Sequence, residues 1–102
     1  MIHVIARVQV VPGARDAFLA EFRQIIDTVR AEAGCIEYGP AIDATTGIAQ
    51  QQLLGTDAVT IIETWDSVDA LKAHLAAPHM TAYRERVKPH VKQVSLHVLQ
   101  PT

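Results

Sequence analysis

Cysteine is nearly absent from this chain: Cys35 stands alone among 102 residues. A lone thiol excludes an internal disulfide framework and suits a reducing compartment. There is no surplus of positive charge either. Nine Lys and Arg stand against eleven Asp and Glu, for a net charge of −2, which leaves no basic field for nucleic acid or an anionic membrane surface. No apolar run approaches the roughly 20 residues that a membrane helix needs. The opening "MIHVIARVQVV" is interrupted by His3, Arg7 and Gln9, and it lacks the basic start and small-residue cleavage site of a secretory leader. No glycine-rich phosphate loop is visible, since Gly34 and Gly39 do not form one, so a flavin or nicotinamide cofactor has no recognisable cradle. The expectation is a soluble cytoplasmic protein with no nucleic-acid or membrane partner.

What is present is a globular composition, 49% hydrophobic and 20% charged, on a chain of one-domain length, residues 1–102. So short a chain buries only a modest core, which makes self-association worth considering. Along residues 2–11, Ile2, Val4, Ala6, Val8 and Val10 alternate with His3, Ile5, Arg7 and Gln9, the period of a strand with one apolar face. "VPGARD" then breaks the strand and opens a helix. Phe18, Phe22, Ile25, Ile26, Val29 and Ala33 recur at helical spacing, and Gly34 is a natural stop. "CIEYGPAID" reads as a second strand, with Pro40 as an edge or bulge feature. "ATTG" is a turn, and "IAQQQLLGTD" is a partly extended arm. "AVTIIETW", residues 58–65, is a strong strand. Asp66 or Ser67 caps a helix carrying Val68, Leu71 and Leu75, Pro78 opens another with Met80, Tyr83 and Val87 on one face, and "VKQVSLHVLQ" closes the chain as a strand.

The order β-α-β-β-α-β, with its second helical region split at "AAPH", predicts an α+β, ferredoxin-like fold: one antiparallel sheet with helices on one face. The other face is expected to expose Ile5 and, on its parity, Val59 and Ile61. An apolar sheet face of that kind marks an interface. The simplest solution is a homodimer in which two sheets pack face to face.

Groups able to do chemistry gather between Ile61 and Val87: Glu63, Trp65, His74, His79 and Tyr83. His74 sits at the margin of its helix's apolar stripe, where an imidazole can face a pocket and take a phenolic proton; the alternative is a hydrogen-bonded boundary histidine. Glu63 and Trp65 share a strand face. The carboxylate can orient a histidine or accept a substrate hydroxyl, and the indole can stack on an aromatic and donate its N–H; otherwise Trp65 fills the core and Glu63 pairs with Arg7 or solvent. The candidate binding set is Tyr38, Arg7, His79, Met80 and Tyr83, each with a packing, capping or ion-pair alternative. His3, His90 and His97 are read as structural, as is Cys35, which has no base partner in sequence. No metal site is expected. His74 and His79 are five apart and straddle Pro78, which breaks the i, i+4 register of a helical ligand pair.

Three stretches, "AEAGCIEYGPAID", "TIIETWDSVDALKAHLAAPHMTAYRERV" and "VSLHVLQP", resemble the antibiotic biosynthesis monooxygenase family, and more narrowly its bacterial quinol monooxygenase branch. The "E-x-W-x-S…L-x-x-H-L-x-x-P-H-M" run is the most specific part. The resemblance implies a dimeric α+β barrel that oxidises quinols or other electron-rich phenols with O2 and no metal, flavin or haem. It also favours His74 as the base over the boundary-histidine reading; Glu63, to orient or polarise, and Trp65, in the aromatic pocket, complete the candidate catalytic set. Haem-degrading relatives use an Asn on the first strand, which is missing here; His74 stands where their Trp would fall and Arg84 where their His would. Two other classes fit the same residues: a cofactor-free isomerase or lyase using His74 and Glu63 as an acid–base pair, and a non-catalytic ligand-binding barrel.

Overall fold

The computed structural model describes residues 1–102. Its elements are β1 (Ile2–Val10), α1 (Arg15–Arg30), β2 (Cys35–Ala41), β3 (Ala58–Trp65), α2 (Val68–Ala76), α3 (Pro78–Val87), a 3-10 turn (Lys88–His90) and β4 (Val91–Leu99). The four strands form one sheet in the order β2-β3-β1-β4, with every neighbouring pair antiparallel. This is the ferredoxin-like arrangement that the element order predicts. No helix is long and apolar enough to cross a membrane.

The helices cover one face. Phe18, Leu19, Phe22, Ile25 and Val29 of α1 are buried against the alternate residues Ile2, Val4, Ala6, Val8 and Val10 of β1. Burying such a large aliphatic or aromatic side chain stabilises the fold by roughly 1.5–3 kcal/mol. β2 is an edge strand, which accommodates Pro40 without a lost ladder bond. The irregularity in its pairing falls at Cys35–Glu37 rather than at the proline.

The β3 parity expected from the sequence is corrected by the register. Val8 pairs with Val59 and Ala6 with Ile61, and residues directly opposite share a face. Val59, Ile61, Glu63 and Trp65 therefore lie under the helices and are buried. The helix-free face carries Ile5 opposite Ile62, among His3, Arg7, Gln9, Thr60 and Ser95, and is more polar than expected. A second apolar row appears elsewhere: Val94, Leu96 and Val98 of β4 pair with Val8, Ala6 and Val4. They face the helix side, yet stay about half exposed because no helix reaches over β4.

Three local devices set up the site. Gly34 has φ +83°, and a Cβ there would lie 2.6 Å from the Ala70 Cβ. Only glycine allows this close approach of the α1–β2 turn to α2. The contact is fastened by the Asp66 N–H donating to the Gly34 carbonyl at 2.8 Å. Ser67 caps α2, its side chain accepting from the Ala70 N–H. Ala77, at φ −63° and ψ 139°, ends α2 and begins α3, so the two short helices meet at an angle instead of continuing as one. The arm of residues 42–57 contains no strand. It folds back on itself, with Asp43 accepting from the Leu54 and Gly55 N–H groups at 2.8 and 2.9 Å.

Candidate active site

His74, in the last turn of α2, is 1% exposed. Its Nδ1 lies 2.9 Å from Glu32 Oε2. Its ring packs on Trp65, centroids 4.7 Å apart and tilted by 35°, and meets the Tyr38 ring edge-on at 5.4 Å. The ring is therefore packed against two aromatic side chains and pinned at one nitrogen. No buried side-chain nitrogen or oxygen lacks a hydrogen-bond partner. His74 Nε2 makes no hydrogen bond within the chain, so it is reached from the open space that His74 borders.

That space is a cavity of about 560 Å³ between the sheet and α3, within the size range of small-molecule sites. Its wall is mostly apolar. Tyr38, Glu63, His74, Met80 and Tyr83 line its polar and aromatic side, and Val94 and Leu96 of β4 form the rim. All five groups on that side come from the expected sets, His74 and Glu63 from the catalytic one and Tyr38, Met80 and Tyr83 from the binding one.

The electrostatics follow from burial. Desolvation pushes the His74 pKa below the ordinary imidazole value, while Glu32 pulls it back up. The ring is thus neutral near pH 7. With Nδ1–H donating to the Glu32 carboxylate, its Nε2 lone pair is free toward the cavity. Burial also raises Glu63 above the usual carboxylate range. The Trp65 hydrogen bond opposes that shift and the Glu32 charge adds to it. Desolvation, with the charge of Glu63 behind it, drives the Tyr38 phenol well above its usual value, and burial does the same for Tyr83 against the opposing charge of Arg84. Both remain protonated donors.

Several expected residues occupy other positions. Trp65 is 0% exposed and its N–H is committed to Glu63 Oε1 at 2.8 Å, so it backs His74 and holds Glu63 instead of meeting a ligand. Glu63 lines the cavity but does not orient the histidine; Glu32 does. Arg7 is exposed on the helix-free sheet face, away from the cavity. His79 is not part of the cavity wall. Its Nε2 lies 3.0 Å from the same Glu32 oxygen that holds His74. The spacing argument that kept His74 and His79 apart does not hold in three dimensions, because the break at Ala77 redirects α3 and brings both rings to one carboxylate. Cys35 has its thiol pKa raised by burial and by Glu32, as an unreactive cysteine would.

Glu32 is the residue that sequence reasoning missed. It sits in the turn after α1, its N–H donating to the Val29 carbonyl at 2.9 Å, with no local motif to mark it. Arg84 also borders the cavity, and its guanidinium donates to the Leu75 carbonyl at 2.6 Å.

The family described as Antibiotic biosynthesis monooxygenase matches residues 1–86. The chain is 41% identical over 103 aligned residues to the probable quinol monooxygenase YgiN of Escherichia coli K12, covering 99% of this chain and 98% of that protein. Among solved structures it is similar to Rv0793 from Mycobacterium tuberculosis, with a TM-score of 0.80 and 30% identity over 99% of this chain and 94% of the other. PA3566 from Pseudomonas aeruginosa shares the fold, with a TM-score of 0.81 at 24% identity over 99% of this chain and 93% of the other. A cavity walled by phenols and one carboxylate-pinned imidazole thus sits in a chain that belongs to the antibiotic biosynthesis monooxygenase family.

Proposed function

We propose that this chain is a quinol monooxygenase or oxidase, acting on a small aromatic quinol with O2 and with no flavin, haem or resident metal. The observation that carries this reading is the His74 imidazole, fixed through Nδ1 by Glu32 and open through Nε2 to a mostly apolar cavity. The likeness to a probable quinol monooxygenase supports the choice of substrate class.

A quinol without a cofactor is its own reductant, and its anion yields electrons to O2 far more readily than the neutral form. At pH 7 a phenol with a pKa near 10 needs roughly 4 kcal/mol to ionise. His74 Nε2 takes the phenolic proton as general base. Glu32 stabilises the imidazolium that results, as a carboxylate does behind the histidine of other dyads. The Tyr38 and Tyr83 hydroxyls donate to the quinolate oxygen in a water-poor site, where such bonds count for more. Glu63, held by Trp65, faces the second substrate oxygen. Met80 and the apolar wall position the ring. Two electrons then pass from quinolate to O2. The products are quinone and hydrogen peroxide, or a hydroxyquinone and water if one oxygen atom is retained. The single free thiol and the reduced substrate both suit the cytosol. The Ile5–Ile62 patch on the helix-free face supports a homodimer joined sheet to sheet.

The test is O2 uptake by metal-free, cofactor-free protein with a panel of reduced naphthoquinones, against autoxidation. The expected result is enzyme-dependent uptake that His74→Ala lowers by about 10²–10⁴-fold. Uptake no faster than autoxidation across the panel would overturn the reading.

A further inference from the structure

Glu32, His74 and His79 converge on one point. The two imidazole nitrogens lie 2.9 and 3.0 Å from the same Glu32 oxygen, and one donor atom from each residue falls within 4.8 Å of the others. The three groups come from three places: the α1–β2 turn, the last turn of α2 and the first turn of α3. We propose that they form a binding site for a late first-row divalent cation such as Zn2+, and that filling this site switches off His74 as a base. The inhibitory half of this inference rests on the base reading above; the binding half does not.

The donor set selects the ion. Two imidazoles and one carboxylate suit Zn2+ and its late first-row neighbours, whereas Mg2+ and Ca2+ prefer sets of oxygen donors. Donors about 2.0–2.1 Å from a tetrahedral ion stand roughly 3.3 Å apart. The two bonds to Glu32 need to open by only a few tenths of an ångström, and the two nitrogens must draw together. Three protein donors leave a fourth position for water, the open form of zinc coordination. An entry path exists: His74 is buried at the back, but Glu32 is 16% and His79 31% exposed. The cation reaches the cluster from the solvent side without passing through the substrate cavity, since neither Glu32 nor His79 lines it.

Switching follows from the two-nitrogen chemistry of imidazole. In the metal-free protein Nδ1 carries the ring proton, which it donates to Glu32, and Nε2 holds the free lone pair. A cation bound at Nδ1 uses the lone pair of that nitrogen and so displaces the proton it carries. The ring proton must then reside on Nε2, facing the cavity as a donor, and the base is lost. As the cation binds, each coordinating nitrogen gives up its proton and the ring takes one up at its other nitrogen, so both imidazoles stay neutral with no net proton release, and Glu32 exchanges two hydrogen bonds for a metal bond. No oxidation or reduction is involved. The cation acts as an inhibitor, not as a cofactor, and its site overlaps the proton acceptor but not the substrate.

The experiment is a titration of the metal-free full-length protein with Co2+, read by visible absorption, followed by Zn2+ competition. Zn2+ inhibition of naphthoquinol-dependent O2 uptake is read in parallel. One Co2+ per chain with tetrahedral bands is expected. Displacement by Zn2+ should follow, with affinity lowered roughly tenfold or more in both E32Q and H79A. A folded circular dichroism spectrum for each variant guards against simple unfolding. Octahedral Co2+ bands only, or binding that both variants retain unchanged, would overturn the site. Stoichiometric binding lost in the variants but without inhibition would keep the site and overturn the switch together with His74 as base. Binding with no quinol turnover in any condition would overturn the proposed substrate class alone.

Discussion

Glu32 and His74 are 42 positions apart in the chain and meet at 2.9 Å. That contact decides which nitrogen of a buried imidazole points at the cavity, and it depends on a glycine two residues after Glu32 that lets the turn rest on α2. A carboxylate here does more than pair with a charge. It selects the tautomer, and its negative charge favours the imidazolium that proton abstraction creates.

Glu32→Gln tests that role directly. The side chain keeps its size, but the charge behind the imidazolium is gone. The expected loss is in kcat, about 10- to 1000-fold, with KM little changed. Steady-state O2 uptake on the same quinol measures both. An equal rise in KM with kcat intact would mean that Glu32 shapes the pocket rather than the base.

Gly34→Ala places a methyl group against Ala70 at a backbone angle that alanine avoids. The left-handed conformation and the clash together predict a loss of roughly 2–4 kcal/mol. Chemical denaturation measures it. Because the turn carries Glu32, the variant is also expected to lose activity at temperatures where it stays folded. A change below about 0.5 kcal/mol would show that the turn relaxes freely.

Glu63→Gln is expected to stabilise the protein at neutral pH. Burial raises the folded pKa of Glu63, so the native state holds its proton after the unfolded chain has released it. Stability is then lost as pH rises from the ordinary carboxylate value, about 4.3, through the folded one. The amide has no proton to lose and escapes this cost. The Tm difference between variant and parent should be present at pH 7 and shrink toward zero below about pH 4. A gap that does not change with pH would contradict the assignment.

The sheet-to-sheet homodimer predicts a light-scattering mass of two chains at micromolar concentration. Ile62, 39% exposed and opposite Ile5, lies in the patch that would be covered. Ile62→Lys is expected to move the mass toward one chain, because a lysine buried without a partner is strongly unfavourable. A one-chain mass for the unaltered protein would remove the dimer.

Much of the architecture is legible in local pattern. The alternation of β1, the apolar stripe of α1 from Phe18 to Val29, Ser67 as a cap and Pro78 as a helix opener all act over a few residues, and each is found where the pattern puts it; α1 itself ends at Arg30, so Ala33 lies outside it and Gly34 shapes the following turn instead of stopping the helix. The assignment of Val59 and Ile61 to the open face failed for an identifiable reason. A period of two separates the faces of β3 without saying which face is covered, and only its pairing with β1 does that. The uncovered row on β4 was equally invisible, since it reflects how far the helices reach.

The candidate site divides along the same line. His74, Tyr38, Met80 and Tyr83 are recognisable from residue type and from the E-x-W…H run, and they share one cavity wall. For Trp65 the sequence left ligand contact and core packing open; its packing against His74, on a different element, decides for the core. Arg7 carries the right charge on the wrong face.

The chain's own order of residues determined its elements, its family and the kinds of groups available for proton transfer. These depend on short-range propensity and spacing that any stretch of chain carries with it. Only the tertiary structure decided that Glu32 serves both His74 and His79. Contacts between a turn and two helices far apart in the chain arise from the close approach at Gly34 and the bend at Ala77, and neither distance is encoded in the spacing of the three residues it joins.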